Sequence, residues 1–142
     1  MKKFSRLFIT FVIFATMAIL TGLAPSANAS DFSDLKAKME TARESLVNMM
    51  LHADKRGADQ QKLVKDTADA VSEHLGKIKA PAGREAQFKE LVATWNAFKE
   101  TREKELVPTI LKGDDAAAKK IAGGIQKERI TRCKELADEL DI

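Results

Sequence analysis

The chain has 142 residues, with 24 Lys and Arg against 21 Asp and Glu, one Trp, no Tyr and one Cys. Its formal charge of +3 rests on Lys2, Lys3 and Arg6; without them 21 basic residues face 21 acidic ones, which argues for neither nucleic acid nor an anionic membrane as partner. A single thiol excludes an internal disulfide, and abundant Ala, Leu, Lys and Glu with only three prolines point to an all-α chain.

Residues 1–29 read as a secretory signal peptide. A short basic segment precedes an almost unbroken apolar run from Leu7 to Leu23, and Ala27-Asn28-Ala29 supplies the small-x-small pattern of a cleavage site. The alternative is an uncleaved anchor, because the apolar run is nearly long enough to span a bilayer; Pro25 and the small residues after it favour cleavage. Export is expected either way, giving a periplasmic protein, or a membrane-anchored one if the signal stays attached. Residues 30–142 then form one domain with a modest core.

Four amphipathic segments follow. Phe32, Leu35, Met39, Ala42, Leu46, Met49 and Ala53 alternate spacings of three and four, one seam of a bundle helix, with Ser30-Asp31 as N-cap signal and Gly57 as stop. A second seam runs Val64, Ala68, Val71, Leu75, Ile78 and ends at Pro81 and Gly83. The third carries Phe88, Leu91, Trp95 and Phe98, reaches Arg102, and passes through Leu106 and Ile110 to Gly113. Pro108 lies inside it. The apolar phase persists across the proline, which predicts a kink rather than a stop. Gly113-Asp114 reads as a helix end followed at once by an N-cap, and the fourth seam runs Ala118, Ile121, Ile125, then Arg129 or Arg132, Cys133, Leu136 and Leu140. Short connections between four such helices predict an up-down-up-down antiparallel four-helix bundle.

Chemistry is harder to find. Arg102 interrupts an apolar seam, and Arg129 and Arg132 sit where the fourth stripe should be most buried. With a turn at Gly113, Arg102 falls near the level of Gly124, and Trp95 near Thr131. A cationic, aromatic-lined pocket there would suit a carboxylate, because a guanidinium fork matches two carboxylate oxygens. The competing reading has these arginines snorkel outward or pair with Glu100, Glu103, Glu105 or Glu128.

Met39, His74 and Cys133 fall near one end of an antiparallel bundle, and their side chains are ligands for haem iron or copper; packing explains Met39 and Cys133 equally well. There is no C-x-x-C-H and no paired-histidine spacing. His52 is most simply a surface residue at a helix end, and Gly123-Gly124 a site of close helix approach. Serine-nucleophile motifs, phosphate-binding glycine loops and H-E-x-x-H are absent, so no enzyme is expected.

The segment from Trp95 to Leu140 carries W-x-x-F-K-x-x-R, an apolar-Pro-x-Ile step, a Gly turn and A-K-x-I-A-x-G-I-Q-x-x-R. In this it resembles the second half of the four-helix-bundle ligand-binding domain of bacterial methyl-accepting chemotaxis receptors. The resemblance implies that Trp95, Phe98, Arg102, Gln126 and Arg129 occupy characteristic positions of that family, either touching ligand or stabilising the bundle. It implies a small-molecule ligand, a possible homodimer through the first helices, and a membrane receptor as a possible partner in chemotaxis. Because the chain ends at Ile142, a sensor domain without its own transmitter is expected. Two other readings stand beside it. One is a haem carrier similar to the b-type and c′-type cytochromes, with Met39 as the first-helix methionine. The other is a structural, dimerising bundle in which an exposed Cys133 would permit covalent pairing.

Overall fold

The structure, a computed structural model, describes residues 29–141. The expected signal peptide lies outside the described residues except for Ala29, and among them no helix is long and apolar enough to cross a membrane.

The described chain is all-helical, without a strand. Four long helices are present: α1 (Ala29–Leu51), α2 (Ala58–Lys77), α3 (residues 85–111) and α4 (residues 115–140), with a 3₁₀ turn at Ala53–Lys55. Ser30, expected to cap α1, is already helical. The first seam is buried from Phe32 to Met49, but α1 ends at Leu51 and Ala53 is exposed. Arg56 explains the early stop. Its guanidinium donates to the carbonyls of Met49 and Met50 at 3.4 and 3.2 Å and to Asp115 Oδ1 at 2.7 Å. It thereby satisfies orphan carbonyls at the end of α1 and fastens that end to the start of α4.

Contacts between neighbouring helices run in opposite directions along the chain. Gln60 donates to the Ser45 carbonyl and His74 Nε2 meets the Asp31 carbonyl, joining α1 to α2. Trp95 Nε1 donates to Ser72 Oγ at 3.0 Å and Lys99 pairs with Asp69, joining α2 to α3. Arg132 pairs with Glu90 and Arg129 donates to the Ala97 carbonyl, joining α3 to α4. Lys134 with Glu40 and Lys36 with Asp138 close α4 onto α1.

Pro108 lies inside α3, as its phase predicts, and the helix accommodates it by widening one turn. Residues Arg102–Leu106 are π-helical, and the Val107 amide reaches back five residues to the Arg102 carbonyl. The turn to α4 also stands where expected. Gly113 has φ 79°, its amide donates to the Ile110 carbonyl and the Asp114 amide to that of Thr109, closing α3 in a Schellman motif. Asp114 Oδ1 then accepts from the Ala117 amide at 3.0 Å and opens α4.

The fourth seam departs from expectation. Ala122–Gln126 form a second π-helical turn, within which Gly124 leaves helical geometry at ψ −114°. The extra residue rotates everything beyond it, so Ile125 is 41% exposed while Gln126 and Ile130 are buried. Two apolar clusters result. One runs from Phe32 through Met39, Trp95 and Cys133 to Leu140; the other holds Leu46, Met49, Val64, Leu106, Ile110 and Ala118. The buried polar side chains Ser45, Thr101, Arg102 and Gln126 stand where one gives way to the other.

Candidate functional site

Arg102 is wholly buried. Its Nη1 donates to the Ala42 carbonyl at 2.8 Å, and its Nη2 to the Val64 carbonyl at 2.6 Å and to Ser45 Oγ at 3.3 Å. It ties α3 to α1 and α2. Among the described residues no carboxylate touches it, and burial pushes its pKa down to about 10, only partly offset by the fields of Glu103 and Asp69. Both Nη atoms are therefore occupied by protein acceptors; the open fork expected for a carboxylate is not present, and only Nε lacks a partner. The expected alternatives, snorkelling or pairing with a glutamate, do not describe it either.

The other sequence-selected residues separate into three places. Trp95 is buried, its indole donating to Ser72 on α2 and its ring lying 5.2 Å from that of Phe98. Arg129 is half-buried on the α3–α4 seam, donating to the Ala97 carbonyl and Thr101 Oγ1. Arg132 is at the surface with Glu90, Glu135 and Glu139 around it. Of these residues only Phe98 and Gln126 share a wall of one hollow.

That hollow is a cleft of about 410 Å³ between α1 and α4, with Phe98 and Leu106 of α3 among its lining. Its volume is that of an ordinary small-molecule site. Small residues on α4, Ala122 and Gly123, leave room opposite Leu46, Val47 and Met50 of α1. Both π-turns lie beside it. Gln126 is 4% exposed and donates through Nε2 to the Phe98 carbonyl at 3.1 Å, while its Oε1 is buried without a partner. Around the cleft stand Arg43, Lys119 and Lys127, and among the described residues no carboxylate lines it. Arg43 pairs with Glu40; Lys119 and Lys127 have no ion-pair partner among the described residues. A second hollow of about 510 Å³ between α2 and α3 has Arg102 in its wall, but Glu103 opposes the cations Lys62 and Lys65 there.

Sequence reasoning missed Arg43, Lys119 and Lys127. The signal that would have found the cleft is the spacing of four in Ala118, Ala122, Gln126 and Ile130, which replaces the seam through Ile125.

The metal ligands considered from sequence do not assemble in the same way. Met39 and Cys133 are buried in the larger apolar cluster, and His74 Nε2 is engaged by the Asp31 carbonyl at 2.9 Å. Among the described residues no three His, Cys, Asp or Glu side chains gather to hold a metal ion. Cys133 is a free thiol, and burial pushes its pKa up to about 12. It is not exposed for covalent pairing. In native protein it should react with a disulfide reagent at least about a hundredfold more slowly than in urea-unfolded protein, because attack needs local opening. Equal rates would show that the larger cluster is not closed.

Compared with known proteins, the chain matches no family model, no curated sequence and no solved structure.

Proposed function

We propose that this is an exported, periplasmic up-down-up-down four-helix bundle that binds a small molecule between α1 and α4, a non-enzymatic module related to the sensor domains of chemotaxis receptors. The observation that carries this reading is the cleft beside two π-turns, lined in part by Gln126, whose Oε1 has no partner among the described residues. Interruptions of this kind are frequent at functional sites, and the one in α4 has no proline to account for it. The Trp95 to Leu140 pattern supports the sensor relationship, and the basic, apolar and small-residue segments of residues 1–29 support export.

A binding module rather than a catalyst is favoured by what surrounds the cleft. Three cations and one amide are suited to holding and orienting an anion, and no side chain there combines a nucleophile with a base. The test is a thermal-shift screen of periplasm-expressed protein against small metabolites of varied charge. At least one class should raise Tm by several degrees at saturating concentration, as binding to the native state alone requires. If no compound raises Tm, the ligand-holding reading fails.

A further inference from the structure

We infer that the α1–α4 cleft takes an amphipathic anion: an apolar body with one anionic group and one O–H or N–H donor. This rests on the ligand-holding reading above and adds the chemical class.

Each part follows from a group in the lining. The walls are aliphatic where Leu46, Val47 and Met50 face Leu106 and Ile130, so the ligand body is apolar. Of the charged groups at the cleft Arg43 is paired with Glu40, while Lys119 and Lys127 have no ion-pair partner among the described residues, so the ligand's charge is negative. The donor is fixed by Gln126. Its amide nitrogen is committed to the Phe98 carbonyl, and reversing the amide would set oxygen against oxygen. What remains is an acceptor without a protein partner on a residue that lines the cleft, and a ligand O–H or N–H pairs with it once the side chain turns Oε1 toward the cleft. A ligand lacking the donor leaves that acceptor buried and unpaired. Sites built to hydrogen-bond a ligand hydroxyl reject the analogue lacking it far more strongly than an apolar pocket rejects a missing methylene.

Three matched probes separate these elements in isothermal titration: 8-hydroxyoctanoate, octanoate and 1,8-octanediol. The hydroxy acid should bind at least about tenfold tighter than either of the others, the first lacking the donor and the second the charge. Lys119→Glu with Lys127→Glu, both on the surface, should weaken the two acids at least about tenfold and leave the diol unchanged. Gln126→Leu, with retained helicity checked by circular dichroism, should erase the preference for the hydroxy acid over octanoate. Equal affinity of octanoate and hydroxyoctanoate for the native protein, or indifference of both acids to the lysine changes, overturns the proposal. Failure of all three probes also overturns it; if other compounds still raise Tm in the screen, the ligand-holding reading survives alone.

Discussion

Arg102→Ala should lower the unfolding free energy measured in urea by about 3–5 kcal/mol, the range for removing a buried, fully engaged side chain and leaving a cavity. The Ala42 and Val64 carbonyls and Ser45 Oγ all lose a donor together, at the one level where α1, α2 and α3 are tied by a single side chain. Arg102→Met behaves differently. It refills most of the volume with an unbranched apolar chain, and the two carbonyls sit in helices whose own amides serve them, so the loss should stay within about 1.5 kcal/mol. The guanidinium has no carboxylate to repay its desolvation, which is the situation in which an apolar replacement costs least. A pH series sharpens the comparison. The folded-state pKa lies below the ordinary arginine value, so the charged form is penalised at every pH below about 10, and the penalty lifts only as pH rises through that value. The wild type should therefore gain on Arg102→Met above pH 10. A loss under 1 kcal/mol for Arg102→Ala would sink the view of Arg102 as a tie between helices. An equal loss for Ala and Met would place its contribution in the charge-assisted hydrogen bonds instead of in volume.

The residues Phe32 to Met49, Val64 to Ile78 and Leu91 to Ile110 announce their burial because threes and fours are the only spacings that keep one helical face together. The Gly113-Asp114 turn is equally local: a glycine at positive φ and an aspartate cap need no tertiary information. The π-turns are a different matter, since neither Pro108 nor Gly123-Gly124 says by itself that a turn will widen. Their trace is in the intervals. Phe98, Arg102, Leu106 and Ile110 are separated by consecutive fours, and in a regular helix each such step drifts by about 40°, so three steps drift by about 120°. One extra residue absorbs about 100° of that, and the π-turn at Arg102–Leu106 is that residue. In α3 the apolar intervals alone therefore trace the buried seam through the widened turn. In α4 the apolar Ile121 and Ile125 offered a more hydrophobic path, so Gln126 was displaced from the core stripe by a residue that the structure leaves exposed.

The same misphasing hid the site. Arg102, Arg129 and Arg132 stood out because charge on a buried stripe is unusual, yet the structure uses the first as an internal tie and the other two along the α3–α4 seam and at the surface. The cleft's own cations, Lys119 and Lys127, look like ordinary solvated lysines until the phase of α4 is known. Arg43 is on α1, and only the approach of α4 to α1 brings it to the same cleft.

Because the π-turn in α4 holds one residue more than a regular helix, one residue can be deleted from the middle of α4 with little harm. Removing Ile125 takes the extra residue out of the π-turn and leaves Ala118, Ala122, Gln126 and Ile130 at intervals of four, three and four, a regular bundle seam. Helicity should be retained and the unfolding free energy should change by no more than about 1 kcal/mol, helped by the loss of an exposed isoleucine. Removing Thr131 is the control. It lies beyond the π-turn, so the deletion rotates Cys133, Leu136, Ala137 and Leu140 by about 100° out of the core. Several buried side chains at about 1.5–3 kcal/mol each exceed what a domain of this size can lose, and that variant should be unfolded. If both deletions unfold the protein, the π-turn in α4 is not a tolerated insertion. If the Ile125 deletion folds but no longer gains Tm from any ligand that stabilises the wild type, the widened turn keeps α1 and α4 apart for a ligand and contributes nothing to holding them together.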